Sequence, residues 1–191
     1  MLQVRPLHPL FAGEVTGVDL RRPLPEADLA AIRDAFERLS VLVFPGQDIE
    51  DAAQVAFSER FGPLEATRAG ANGAGGKLIV LTNIGPDGRI APPTDKQVLN
   101  NRANQSWHHD SSFKPVPEAL ALVRDLTEHA TQREFVYRHA WRKHDLVMWD
   151  NRCTMHRGTD FDDLRWVRDM RRVTVSDVAN SCEQEGVPVP A

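Results

Sequence analysis

Cysteine is scarce in this 191-residue chain, which contains only Cys153 and Cys182. Two cysteines do not make the disulfide framework of a small secreted protein. This low number of cysteines favours a reducing compartment such as the cytoplasm. No apolar run approaches the ~18 residues that a membrane-spanning helix needs, and the residues after Met1 lack the apolar core of a signal peptide. The formal net charge of -4 gives no indication of a nucleic-acid partner. We therefore expect a cytoplasmic protein with no membrane or nucleic-acid partner.

The balance of apolar and charged residues is that of an ordinary globular protein. Hydrophobic residues make up 41% of the chain and charged residues 26%, and the length suits one domain over 1–191. Apolar residues at helical spacing predict helices that begin after Pro25 and that span 49–61 and 118–129. Short apolar runs predict strands over 41–44, 78–81, 135–141, 146–149 and 172–178. This mixture predicts an α+β fold, a β-sandwich or jelly roll with flanking helices.

Two histidine-containing segments carry the ligand types of an iron site. His108, His109 and Asp110 are consecutive, and His156 follows far downstream. Because residues i and i+2 of a strand point the same way, His108 and Asp110 would share one face and His109 would lie on the other. Two histidines and one carboxylate form the facial triad that holds non-haem Fe(II) and leaves positions open for substrate and O2. His108, Asp110 and His156 are therefore the predicted metal ligands and catalytic residues.

The same residues also fit an ordinary structural role. A His-x-Asp pair arises often by chance, and most such pairs form hydrogen bonds at the protein surface. The chain contains seven histidines, so a third histidine far along the sequence is no rarity. On these residues alone, a surface hydrogen-bonding role therefore remains open beside the iron site.

Arginines cluster in the segment 165–172, shortly after His156. In an extended chain Arg168 and Arg172 lie on the same face, because their spacing is even. Guanidinium groups bind carboxylates through two parallel hydrogen bonds, which is what an enzyme with a dicarboxylate co-substrate needs. The alternative is a solvated basic stretch, balanced by the nearby acidic residues Asp160, Asp162, Asp163 and Asp169.

The segments around these residues resemble a known enzyme family. The run 104–113 resembles the first metal motif of the Fe(II)/2-oxoglutarate dioxygenases of the taurine and 2,4-dichlorophenoxyacetate type, and the runs 130–139 and 145–153 resemble the second. Similar segments in the N-terminal half are 6–11, 40–47 and 57–64. The similarity is greatest to the 2,4-dichlorophenoxyacetate (aryloxyalkanoate) branch, and it covers nearly the whole chain.

The resemblance implies a fold, a set of cofactors and a role for each site residue. The fold would be a double-stranded β-helix, or jelly roll, with flanking helices. His108, Asp110 and His156 would bind Fe(II), and 2-oxoglutarate and O2 would be co-substrates. Arg168 would hold the distal carboxylate of 2-oxoglutarate. Arg172 would bind the anionic end of the substrate and contribute to co-substrate binding.

The reaction implied by the resemblance is the hydroxylation of a small anionic organic substrate. An aryloxyacetate such as 2,4-dichlorophenoxyacetate would be cleaved at its ether to a phenol and glyoxylate, with succinate and CO2 as co-products. Three alternatives remain open: a sulfonate or another carboxylate as substrate, a non-catalytic remnant, and a jelly-roll protein that binds another ion such as Zn(II). Members of the family often form dimers or tetramers, so a homo-oligomer belongs to the same expectation.

One feature departs from the family pattern. Phe113 is followed almost at once by Pro115 to Glu118, which already resembles a later part of the family. In the family, a long stretch with core strands and a 2-oxoglutarate-binding threonine lies between these two parts. A jelly roll has about eight strands, whereas the sequence predicts five or six. We therefore expect a missing segment near 113–116, either omitted from the sequence or deleted from the protein.

Overall fold

The structure is a computed structural model, and it describes residues 1–66, 76–109 and 120–176. In this part of the chain, no helix is both long and apolar enough to cross a membrane. The elements in chain order are β1 (Gln3–Pro6), β2 (Gly13–Thr16), α1 (Glu26–Leu39), β3 (Val41–Phe44), α2 (Asp51–Glu59), β4 (Ile79–Thr82), α3 (Lys96–Ala103), α4 (Leu120–Ala130), β5 (Leu146–Trp149) and β6 (Asp169–Arg172).

The chain divides into two compact units, each assembled from three separate stretches. Unit 1 consists of Met1–Asp19, Leu24–Asp48 and Ser106–Arg157. Unit 2 consists of Leu20–Pro23, Ile49–Gln105 and Gly158–Ala191. The single dioxygenase domain over 1–191 stays a prediction, and the expected gap near 113–116 lies outside the described residues.

Unit 1 is built on a four-stranded sheet in the order β1-β2-β3-β5. The pair β2 and β3 is parallel, and the other two pairs are antiparallel. Helix α1 turns its apolar stripe inward, and Ile32 is fully buried along with Val15, Leu42 and Phe44 of the sheet. Burial of each such side chain stabilises the fold by about 1.5–3 kcal/mol. This core supports β5, the strand that leads into the segment containing His156.

Unit 2 contains the antiparallel pair β4 and β6, with α2 and α3. Thr82 lies opposite Asp169 in this pair, and Ile79 lies opposite Arg172. The buried side chains of the unit include Phe57, Leu64 and Val98, and also the polar Asn83. The pairing of β6 with β4 determines where Arg168 and Arg172 lie.

Most of the predicted elements are present. The helices predicted after Pro25 and over 49–61 are α1 and α2, and the one predicted over 118–129 is α4, whose first two predicted residues are not described. The strands predicted over 41–44, 78–81 and 146–149 are β3, β4 and β5, each within one residue. Helices and mixed sheets together make an α+β protein, as predicted.

Two predicted strands are wrong in type or position. The alternating run 135–141 forms no strand: a 3-10 helix, Arg133–Phe135, is followed by irregular chain. There Tyr137 and Asp145 bond to the His139 ring at 3.1 and 3.0 Å, and no described strand pairs with the run. The strand predicted over 172–178 begins earlier, as Asp169–Arg172, because the backbone hydrogen-bonds to β4 at those residues. Residues 177 and 178 lie outside the described chain.

Candidate active site

His108 and His156 are neighbours in the structure. Their backbones exchange two hydrogen bonds, at 3.0 Å from His108 N to His156 O and 2.9 Å in the reverse direction. The centres of the two imidazole rings lie 4.4 Å apart, with the ring planes tilted by 53°. This antiparallel bridge therefore brings together two histidines that are distant in the sequence.

The surroundings of the His108 ring suit a metal ligand. His108 Nδ1 lies 2.7 Å from the backbone oxygen of Ser106. Since a carbonyl oxygen only accepts, Nδ1 carries the proton and Nε2 carries the lone pair in the neutral ring. Histidine ligands of metals commonly donate their second ring N–H to a carbonyl in this way. The donor set therefore fits a divalent metal such as Fe(II).

The turn that follows β5 positions the backbone that leads to His156. Thr154 donates two hydrogen bonds to the backbone oxygen of Asp150, from its N–H at 3.0 Å and its hydroxyl at 2.6 Å. The Asp150 carboxylate accepts hydrogen bonds from Arg152, which lower the pKa of that carboxyl below its ordinary value. After this turn the His156 ring lies 5.0 Å from the ring of Trp149. The turn and the tryptophan therefore set the position of His156.

Of the other two residues of the motif, the structure describes His109 but not Asp110. The His109 ring turns to another partner, with Nδ1 3.2 Å from the backbone oxygen of Asn151. Asp110 lies outside the described residues, so its predicted role as a ligand stays a prediction. Among the residues that are described, no group of three histidine, cysteine or carboxylate side chains could hold a metal ion. A third ligand to complete a metal site would therefore lie outside the described residues, as the predicted ligand Asp110 does.

The arginines around β6 divide between two faces. In this strand Asp169 and Arg171 alternate with Met170 and Arg172. Arg171 forms ion pairs with Asp169 and, at 3.3 Å, with Asp51. Arg168 lies on the opposite side, where its Nε contacts the Met170 sulfur at 3.3 Å. Arg171 is thus occupied by carboxylates of the protein, on the face opposite to Arg172.

Arg168 lies in a different electrostatic environment. The side chain is partly buried, and this burial lowers the pKa of the guanidinium below its ordinary value. Within 1–66, 76–109 and 120–176, no carboxylate pairs with it. A partly desolvated cation of this kind gains from a bound anion. Arg168 is therefore suited to bind a carboxylate from a ligand.

Two residues that the sequence did not single out hold the backbone before Arg168. Asn83, only 2% exposed, hydrogen-bonds to three points of the segment 163–168. Arg102 binds the Asp163 carboxylate through two hydrogen bonds of 2.8 and 2.9 Å, which lower the pKa of that carboxyl. Arg168 also lines a cavity of about 10 Å³ beside these residues, which has room for about one water molecule and not for a substrate. A lone asparagine after a predicted strand carries no sequence signal for this role.

A protein family matches the sequence over most of its length. The family described as "Taurine catabolism dioxygenase TauD, TfdA family" matches residues 3–122 and 114–174. The two matched ranges overlap at residues 114–122.

Curated relatives of the same class match most of the chain or more than half of it. The alpha-ketoglutarate-dependent 2,4-dichlorophenoxyacetate dioxygenase of Cupriavidus pinatubonensis is 29% identical over 280 residues, covering 91% of this chain and 97% of the relative. That alignment is longer than the 191 residues of this chain, so the relative has residues with no counterpart here. The (S)-phenoxypropionate/alpha-ketoglutarate-dioxygenase of Delftia acidovorans is 33% identical over 119 residues, covering 60% of this chain and 38% of the relative.

A solved structure shares the fold. The crystal structure of AAD-2 in complex with Mn(II) and N-oxalylglycine superimposes with a TM-score of 0.82 at 29% identity, covering 92% of this chain and 97% of that chain. N-Oxalylglycine is an analogue of 2-oxoglutarate. The resemblance to this class of enzyme, its cofactors Fe(II), 2-oxoglutarate and O2, and the enzymatic nature of the protein are thereby confirmed. The chain belongs to the taurine catabolism dioxygenase TauD, TfdA family of 2-oxoglutarate-dependent non-haem iron dioxygenases.

Proposed function

We propose that this enzyme oxidises an aryloxyacetate, with 2,4-dichlorophenoxyacetate as the representative substrate. The ether would be cleaved to a phenol and glyoxylate, while 2-oxoglutarate is converted to succinate and CO2. The fold would be the jelly roll of the family, with the expected missing segment near 113–116 supplying further strands where it is present. The observation that carries the proposal is the partly buried Arg168, which no carboxylate of the described chain neutralises.

The proposed metal ligands are His108, Asp110 and His156. Two arguments support the histidines: their rings are adjacent, and the Ser106 carbonyl fixes the proton of His108 on Nδ1. Asp110 is proposed from its even spacing to His108, which places both side chains on one face of an extended chain. Bound Fe(II) would supply the activation of O2 in this family, and the three side chains would leave positions open for ligands.

Arg168 is the proposed anchor for the distal carboxylate of 2-oxoglutarate. A guanidinium can donate two parallel hydrogen bonds to a carboxylate, which fixes the orientation as well as the position of the acid. The partial burial of Arg168 strengthens such a bond, because less water competes for the donors. Its backbone is held by Asn83, so the group is preorganised for the ligand.

Arg172 is the proposed partner of the carboxylate of the primary substrate, with a contribution to co-substrate binding. It shares the face of β6 with Met170, the residue that Arg168 contacts. Replacing Arg172 by alanine is expected to raise KM for an anionic substrate about 10- to 100-fold, the value of a lost charge-assisted hydrogen bond. Steady-state kinetics measure this, with a titration of Fe(II) affinity as control, and unchanged substrate kinetics would contradict the assignment.

The names of the relatives favour the aryloxyacetate over other acids. The enzyme from Cupriavidus pinatubonensis acts on 2,4-dichlorophenoxyacetate and that from Delftia acidovorans on (S)-phenoxypropionate, as their names state. The family description instead names taurine, a sulfonate. Carboxylates and sulfonates are both anions that Arg172 could bind, so a sulfonate is the second candidate.

Succinate formation tests both candidates directly. The protein is loaded with Fe(II) without oxygen, then exposed to air with 2-oxoglutarate and either 2,4-dichlorophenoxyacetate, taurine or no substrate. We expect succinate to rise with 2,4-dichlorophenoxyacetate, together with an equal amount of released phenol. A rise with taurine alone would replace the substrate and keep the reaction class. No turnover in folded, iron-loaded protein would favour the non-catalytic remnant.

A further inference from the structure

We propose that Asn83 is the positioning residue of Arg168: it holds the backbone from which the guanidinium projects, and thereby sets the affinity for 2-oxoglutarate. The proposal rests on the proposed role of Arg168 as the carboxylate anchor. Asn83 acts through Arg168 and is not itself a ligand-binding residue in this proposal.

Asn83 uses its whole side chain on the segment 163–168. Its Oδ1 accepts a hydrogen bond from Arg168 N–H at 2.8 Å. Its Nδ2 donates to the backbone oxygens of Asp163 at 2.8 Å and Trp166 at 2.9 Å. A fourth bond runs from Asn83 N–H to the Arg168 oxygen at 3.1 Å. These bonds allow the segment one arrangement, because any other would leave a buried amide unsatisfied.

Few apolar contacts could hold this segment instead. The side chains of Leu164, Trp166 and Val167 are each more than half exposed. A segment without a buried apolar residue depends on hydrogen bonds for its position. The order of the chain before Arg168 therefore depends on hydrogen bonds, and Asn83 supplies those to Asp163, Trp166 and Arg168.

The backbone of Asn83 is in turn held by a hydrogen bond from Ala91. Its backbone oxygen accepts a hydrogen bond from Ala91 N–H at 2.9 Å, and Ala91 is only 8% exposed. The ion pair of Arg102 with Asp163 is a second anchor, in which both carboxylate oxygens are bound and the Asp163 side chain is only 15% exposed. It holds the start of the segment, whereas the Asn83 amide bonds to Arg168 itself and is the more direct constraint on that residue.

The test uses the intact protein loaded with Mn(II) and calorimetric titration with N-oxalylglycine. For Asn83→Ala we expect affinity to fall roughly tenfold, since a displaced arginine loses its alignment with the carboxylate. The KM for 2-oxoglutarate should rise by a similar factor, with kcat at saturation nearly unchanged. Asn83→Ser, which replaces the amide by a single hydroxyl that can donate and accept, should give a smaller loss and decides the matter if the alanine variant does not fold.

Thr82→Val is the matched control. Thr82 is 8% exposed and is the last residue of β4, directly before Asn83. Its hydroxyl accepts a hydrogen bond from Ile84 N–H at 3.1 Å. We expect it to lower the melting temperature and leave N-oxalylglycine affinity unchanged. Asn83 variants that lower only the melting temperature, while Arg168→Ala weakens N-oxalylglycine binding as expected, would overturn the role of Asn83 alone. Absence of binding by the unaltered protein would overturn the proposed function and this inference with it.

Discussion

Replacing His156 by alanine is expected to lower Fe(II) affinity at least about a hundredfold and to abolish succinate formation. Side chains that merely orient metal ligands are already worth about 10- to 100-fold in affinity, and removal of a ligand should exceed this. The two backbone hydrogen bonds that join His108 and His156 do not need the imidazole, so the bridge should persist. Anaerobic calorimetric titration with Fe(II), together with quantification of succinate, measures both effects.

His109→Ala is the matched control for this prediction. His109 follows His108 directly, but its ring bonds to the Asn151 backbone oxygen and not to His156. We expect its removal to leave Fe(II) affinity within the error of the titration. Equal losses in the His109 and His156 variants would indicate general disruption of this part of unit 1. Full metal binding by the His156 variant would remove it from the ligand set.

Replacing Arg168 by alanine is expected to raise the KM for 2-oxoglutarate about 10- to 100-fold. A hydrogen bond to a charged group contributes about 1.5–3 kcal/mol, and the guanidinium can donate two to one carboxylate. Arg168→Lys should retain part of the affinity, because it keeps the charge but loses the planar pair of donors. Kinetics at saturating primary substrate, with N-oxalylglycine binding to the Mn(II)-loaded protein, measure the change.

Arg171→Ala separates this role from a general effect of positive charge. Arg171 is three residues away and carries the same charge, but Asp51 and Asp169 neutralise it. Its loss should change the KM for 2-oxoglutarate less than twofold, in keeping with the small contribution of exposed ion pairs. A larger effect from Arg171 than from Arg168 would reverse the assignment of the two arginines.

Much of the candidate site could be predicted from residue type and spacing. His108 and Asp110 are evenly spaced, and so are Arg168 and Arg172. Strand geometry predicts that each pair shares one face wherever the chain is extended. The alternation in β6 agrees with that reasoning, since Arg171 faces its own carboxylates and Arg168 contacts Met170. The chemistry of imidazole, carboxylate and guanidinium then limits what such residues can bind.

Other features depended on partners that no local pattern reveals. The alternating run 135–141 has the composition of a strand, yet no neighbouring strand pairs with it in the described chain. The strand β6 begins at Asp169 and not at Arg172, because β4 supplies its hydrogen bonds there. Asn83 has no feature in the sequence that distinguishes it from a turn residue.

The sequence by itself determined the α+β composition and the apolar faces of the helices, and its resemblance to known segments indicated the family. The first two properties are local, since they follow from side-chain chemistry and from periods of two or 3.6 residues. Only the tertiary structure decided that His108 meets His156, that among the described residues carboxylates pair with Arg171 and not with Arg168, and that Asn83 holds the backbone of Arg168. Each of these contacts joins residues far apart in the chain, as Asn83 and Arg168 are by 85 positions. Such contacts form only when strand pairing and burial of the core bring the segments together.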